Sequence, residues 1–135
     1  MQDGNPELLK LAEAIERRAS FLEMKFKDPI LDVTRHNLDE LSSGNRVLLL
    51  FFTAEWCGPC ISYLATYRDL AREISKPGVV FGKVDVDRAA DIADRYNIDH
   101  IPSIAVIVNG KLVDVIIGST SKEKLKARIE PYLHA

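Results

Sequence analysis

At 135 residues, 47% of them hydrophobic and 28% charged, the chain has the size and balance of one globular domain with a real core. Its formal net charge of −2 gives no electrostatic reason to expect nucleic acid or an anionic membrane as partner. No apolar run approaches the ~18 residues of a membrane span. The start, Met1-Gln2-Asp3-Gly4-Asn5, lacks the basic and apolar regions of a secretory signal, so a soluble cytoplasmic protein is expected.

Asn5 reads as an N-cap and Pro6 as a first helical residue. Leu8, Leu11, Ala12, Ile15, Ala19 and Leu22 then recur at helical spacing, which predicts an amphipathic helix from about residue 6 to about residue 24. Glu7 lies early and Arg17 and Arg18 late, as the macrodipole favours, and Glu13 and Arg17 are spaced for an i,i+4 pair. An apolar helix face usually finds the nearest core, so packing on the domain's own surface is expected, with a partner-binding helix as the alternative. Asp28-Pro29 ends the pattern, because the residue before proline avoids the α region. Residues 1–28 are therefore read as a helical extension and residues 29–135 as the domain.

Ile30 to Val33 reads as a short strand, Thr34 as the cap of a helix reaching about Leu41, and Ser42 to Asn45 as a loop. Val47 to Phe52 is apolar without alternation, the pattern of a strand covered on both faces. It leads into the chain's only two cysteines, Cys57 and Cys60. Ile61, Leu64, Ala65, Leu70, Ala71 and Ile74 then follow helical spacing until Lys76-Pro77-Gly78. Val79 to Val86 reads as the next strand, and Asp87 as the cap of a helix that ends near Asn97. Ser103 to Val108 and Lys111 to Ile117 flank Asn109-Gly110, the preferred pair for a type I′ hairpin. Thr120 and Glu123 have capping-box spacing for a last helix carrying Leu125, Ile129 and Leu133, which Pro131 should kink or fray.

The order α, βαβαβα, ββ, α predicts an α/β fold: a central mixed parallel and antiparallel sheet flanked by helices on both faces, plus the N-terminal helix. The cysteines fall at a strand's C-terminal end, where such folds usually place their sites. A pair three residues apart closes too short a loop to be valuable as a staple, so its chemistry is the more telling feature. C-x-x-C alone is also shared with zinc half-sites and haem attachment.

Four separated features resolve that ambiguity. They are Ala54-Glu55-Trp56-Cys57-Gly58-Pro59-Cys60, Lys83-Val84-Asp85-Val86-Asp87, Tyr96 to Ser103 with Ile101-Pro102-Ser103, and Asn109-Gly110 before Gly118. Together they make the chain resemble thioredoxin over roughly residues 30 to 135. The resemblance implies the thioredoxin fold, protein-disulfide reductase activity, protein disulfides as substrates and an upstream reductase such as a thioredoxin reductase. It implies no cofactor beyond the Cys57/Cys60 dithiol, and no metal.

Exchange needs a thiolate, and a helix N-terminus favours one by presenting unpaired N–H groups and a positive dipole end. Cys57, nearer the chain entry, is expected to be the exposed nucleophile, and Cys60, one turn in, the buried resolving thiol. Gly58 leaves the backbone accessible, and Pro59 sits where a missing N–H costs nothing. By resemblance, Pro59 marks the reductase-like variant, with a potential near about −270 mV. Trp56 corresponds to the tryptophan that shields the dithiol, Ile101-Pro102 to the cis-proline step lying against it, and Gly118 to a glycine of the substrate rim.

Three positions depart from the family pattern. Phe51 stands where relatives carry a buried aspartate thought to take the resolving thiol's proton, and Thr53 replaces a second tryptophan. Lys83, which usually accompanies that acid, is left to pair with Asp85 or Asp87 or to reach solvent. His100 replaces a common glycine; it is read either as tuning Cys57 and accepting a proton, or as a plain loop residue. Rival functions are an oxidase or isomerase, a partner-specific redox protein, a metal site of Cys57, Cys60 and His100, and a non-catalytic adaptor. The first helix leaves monomer and homodimer both open.

Overall fold

The computed structural model describes residues 6–15 and 28–134. Residues 6–15 form a helix (α1) that is exposed throughout. Leu9, Leu11 and Ile15 are 54%, 56% and 60% exposed, so the expected packing of its apolar face on the domain is not found. The Asn5 cap, the Glu13 and Arg17 pair and the rest of the predicted helix lie outside the described residues.

The domain follows as β1 (Ile30–Asp32), α2 (Leu38–Gly44), β2 (Val47–Thr53), α3 (Gly58–Ile74), β3 (Val79–Asp85), α4 (Ala90–Arg95), β4 (Ser103–Val108), β5 (Lys111–Ile117) and α5 (Lys122–Leu133). The described strands form one sheet in the order β1-β3-β2-β4-β5. β2 pairs parallel with β3 and antiparallel with β4, giving the mixed sheet that the element order predicted. Asn109 and Gly110 both have positive φ, at 50° and 80°, as a type I′ turn requires. The β4–β5 ladder carries a bulge: Val106 faces Asp114 while Ile107 faces Leu112, leaving Val113 as the extra residue.

β2 is the axis of the core. Each side chain from Val47 to Phe52 is fully buried, and alternation sends them to two different layers. Val47, Leu49 and Phe51 pack with Tyr63, Tyr67, Leu70, Leu125 and Ile129 from α3 and α5. Leu48, Leu50 and Phe52 pack with Leu38, Ile92 and Ala93 from α2 and α4. Each such side chain contributes about 1.5–3 kcal/mol on burial, which accounts for the lack of polar alternation.

Polar ties hold the layers in register. Tyr67 Oη donates to Gly82 O at 2.9 Å and lies 3.2 Å from Leu49 O, bolting α3 to both central strands. Burial therefore pushes the Tyr67 hydroxyl's pKa up. Glu73 of α3 accepts from Lys126 and Lys122 of α5 at 2.8 and 3.1 Å. Arg46, just before β2, donates to Tyr132 O and Leu133 O at 3.2 and 2.6 Å, satisfying carbonyls at the end of α5.

Several helix starts differ from the sequence reading. Asn37 accepts from Thr34 N–H and donates to Asp32 O, stabilising a turn over 34–37, so α2 begins at Leu38 rather than after Thr34. Asp87 does not cap α4, whose N-cap is Ala89. At α5 the cap is Ser121, which accepts from Lys124 N–H at 3.2 Å, one residue beyond Thr120. α5 runs on past Pro131 to Leu133.

Gly82 is required for steric reasons: a Cβ there would meet Val33 Cγ2 at 2.6 Å, with Leu49 O and Leu50 Cδ2 at 3.4 Å. Val33 is itself buried and cannot retreat into solvent. Gly82→Ala is therefore expected to lower stability by about 1–3 kcal/mol, measured as a reduced urea midpoint at unchanged slope. An unchanged midpoint would show that β1 shifts freely away from the sheet.

Candidate active site

The C-terminal end of β2 delivers the dithiol. After Thr53 the chain turns, with Cys57 N–H donating to Ala54 O at 3.2 Å, and Cys57 becomes the N-cap of α3. Its Sγ accepts from Cys60 N–H at 3.3 Å, so the sulfur itself satisfies one of the helix's unpaired donors. Pro59 lies in the first turn, where no intrahelical bond is lost. A Cβ on Gly58 would meet nothing within 4 Å, leaving that side of the turn open. Cys57 and Cys60 are joined as a disulfide with Cα atoms 5.3 Å apart. Cys60 is fully buried, as expected. Cys57 is only 6% exposed, so the expectation of an exposed nucleophile is corrected: it is the more accessible of two buried residues.

The β2–β4 register brings a second loop to the same place. Phe52 pairs with Ser103, which puts Pro102 beside the end of β2. The Ile101–Pro102 peptide is cis. Pro102 O accepts from Gly118 N–H at 2.9 Å, and Ser103 Oγ donates to His100 O at 2.6 Å, closing the loop on both sides. Gly118 has φ of 81°, a left-handed conformation that glycine adopts without strain.

Around this centre the surface is apolar and exposed: Trp56 71%, Ile61 60% and Ile117 63%. Trp56 Nε1–H donates to Asp87 Oδ2 at 2.8 Å, while Asp87 N–H donates to Asp85 Oδ1 at 2.9 Å. Asp87 therefore positions the tryptophan, a role hidden in sequence because the two are 31 residues apart. Arg88 spans Glu55 and Asp85 at 3.4 and 3.9 Å. A cleft of about 750 Å³ lined by Asp39, Arg46 and Gly110 lies at the other end of β2, away from the sulfurs.

The departing residues also have defined partners. Phe51 lies in the same buried cluster as Cys57 and Cys60, with its ring 5.6 Å from Tyr63 and 5.0 Å from Tyr67, so aromatic packing fills that position. Lys83 pairs with Asp32 of β1 at 3.5 Å, which corrects the expected pairing with Asp85 or Asp87. His100 is exposed, and its Nδ1 meets Asp99 Oδ1 at 2.7 Å. Among the described residues no three His, Cys, Asp or Glu side chains form a metal-ligating group.

Trp56 is the chain's one tryptophan, so its emission reports this contact alone. Asp87→Ala is expected to lower the steady-state anisotropy of that emission while changing stability by less than about 0.5 kcal/mol, as for an exposed contact. Anisotropy equal to the parent's would mean that packing, not the Asp87 bond, holds the indole.

Comparison with known proteins agrees with this geometry. The thioredoxin family model matches residues 29–131. TPR repeat-containing thioredoxin TDX of Arabidopsis thaliana is 38% identical over 104 residues, covering 72% of this chain but only 27% of that longer protein. Thioredoxin H4 of the same plant is 34% identical over 98 residues, covering 73% of this chain and 81% of its own. A mutant thioredoxin from Halobacterium salinarum NRC-1 superposes with a TM-score of 0.70 at 31% identity, covering 78% of this chain and 91% of the other. A disulfide at C-x-x-C spacing on the N-terminus of α3, beside a cis-proline loop, makes the match chemical as well as architectural. The chain belongs to the thioredoxin family and carries that family's thiol–disulfide oxidoreductase centre.

Proposed function

We propose that residues 29–135 act as a protein-disulfide reductase domain in which Cys57 attacks and Cys60 resolves. The observation that carries this assignment is the asymmetry of the pair. Cys57 is the N-cap and the more accessible residue, while Cys60 is fully buried. In the reduced state the Cys57 thiolate attacks a substrate disulfide, forming a mixed disulfide and releasing one substrate thiolate. Cys60 then attacks Cys57 Sγ, the substrate's second sulfur leaves with the electron pair, and the Cys57–Cys60 bond re-forms.

Protein disulfides suit the site as substrates because exposed apolar side chains, Trp56, Ile61 and Ile117, flank the dithiol and the cis-proline loop in the chain and offer area to a protein partner. Ile101, Pro102 and Gly118 shape the loop against which an extended segment would lie. Electrons come from an upstream thioredoxin reductase, and the dithiol works without a cofactor. The cytoplasm, which keeps dithiols reduced, is the compartment this chemistry suits. The described residues hold no helix long and apolar enough to cross a membrane. The exposed helix α1 at the start of the extension assigned to residues 1–28 is available for pairing with a second copy, with a monomer as the alternative.

Cys57→Ser is expected to abolish reduction of a model protein disulfide, and Cys60→Ser to accumulate a covalent complex that reducing agent dissolves. Turnover surviving in Cys57→Ser would overturn the assignment. A measured potential well above about −200 mV would move the reading to isomerisation.

The bond from His100 to Asp99 favours a loop role over tuning of the dithiol. His100→Ala should leave the pH profile of Cys57 alkylation unmoved, whereas a displaced midpoint would place the imidazole in the proton chemistry.

A further inference from the structure

Apart from the cysteines and tyrosines, Ser103 is the one buried side chain among the described residues that carries a polar group, at 1% exposed. It opens β4, where every following residue to Ile107 is apolar and buried. Its backbone is fixed from both sides, opposite Phe52 of β2 and Ile117 of β5. A buried hydroxyl costs stability unless it is hydrogen-bonded. This one is bonded, and the bond leaves the strand: Ser103 Oγ donates to His100 O, 2.6 Å away in the preceding loop.

That loop has little else to hold its backbone. Ile98 N–H donates to Ala93 O on one side, and Pro102 O accepts from Gly118 N–H on the other. For Asp99, His100 and Ile101 between them, the Ser103 bond is the one hydrogen bond to the main chain found among the described residues. The Ile101 side chain packs against both layers of the core, which anchors its Cα but not the peptide unit before it. A peptide unit turns as a plane about the Cα bonds that flank it, and the Ser103 hydroxyl stops this one. The His100–Ile101 peptide is trans, so its carbonyl and its N–H point in opposite directions. With the His100 oxygen turned onto a buried hydroxyl, the Ile101 N–H points away from Ser103. It has no partner among the described residues.

We propose that Ser103 is a positioning residue for substrate: its hydroxyl turns the His100–Ile101 peptide so that the Ile101 N–H donates to a main-chain carbonyl of the polypeptide carrying the substrate disulfide. The occupant is an extended segment, held by a backbone hydrogen bond as an added strand would be. Such a bond reads main chain and not side chains, so it tells a polypeptide disulfide from a small one. Ser103 touches neither the substrate nor the sulfurs; it acts through the peptide it holds. The Phe52–Ser103 pairing fixes that peptide relative to the end of β2, from which Cys57 follows.

The inference rests on the reductase reading, with an extended segment lying against Ile101, Pro102 and Gly118, and the test separates the two. Two substrates are compared: a peptide disulfide with residues on both sides of its cysteines, and a small aromatic disulfide without amide groups. In Ser103→Ala the ratio of kcat/KM for the peptide to that for the small disulfide is expected to fall about tenfold, through KM, the weight of one hydrogen bond. Ser103→Thr and Ser103→Val share a shape and differ in the hydroxyl, so the first should keep a higher ratio than the second. Equal ratios in that pair would overturn the proposal. So would a parental ratio in Ser103→Ala, including one reached because both rates fall together, which would leave Ser103 a support of the fold only. With Ser103 in place, the Ile101 amide should exchange with solvent as an open amide does. It should become protected once a peptide is trapped on Cys57 by Cys60→Ser. Slow exchange in the free protein, or no protection in the trapped complex, overturns the inference without any change at Ser103. If the parent reduces neither disulfide, the reductase reading itself falls and the inference with it.

Discussion

A strand covered on both faces has no freedom to slide, and β2 is such a strand. Six consecutive side chains at full burial lock its register against β3 and β4, because a one-residue slip would exchange the two layers. The position of Cys57 follows from that lock. So does the position of Pro102, since pairing of Phe52 with Ser103 sets how far the cis-proline loop reaches. The redox centre is thus built by register before any side chain of the site makes a contact of its own.

The same burial sets the chemical problem the centre must solve. A helix N-terminus and the Cys60 N–H stabilise negative charge on Cys57. Cys60 has no such help from the surrounding hydrocarbon, and the aromatic cluster of Phe51, Tyr63 and Tyr67 occupies the layer beneath it. One sulfur is electrostatically favoured and the other disfavoured, which is the division of labour that two-step exchange needs.

Most of this architecture was legible in the chain. The unalternated run from Val47 to Phe52, the Asn109-Gly110 turn and the helical spacing after Cys60 each have one good structural solution, and the sheet followed from their order. What stayed hidden has a common cause. Caps were misplaced where polar side chains had two local options: Asn37 closed the preceding turn, and Asp87 reached across to Trp56. Lys83 had acids two and four residues further along the chain, yet its neighbour across the parallel ladder, Asp32, holds it. The exposed face of α1 reversed the simplest expectation, that an apolar stripe covers the nearest core.

The outer strands of the sheet carry a consequence for behaviour at high concentration. β1 offers only three residues, and β5 is interrupted by the bulge at Val113, with Asp114 drawn to Arg128 by paired bonds of 2.9 Å. Neither edge presents a long, straight ladder to another chain, so strand-by-strand growth into aggregates is disfavoured at both ends. Among the described residues the edges thus favour contact through side chains over strand addition, which keeps the parallel centre of the sheet, and the disulfide it carries, apart from such pairing.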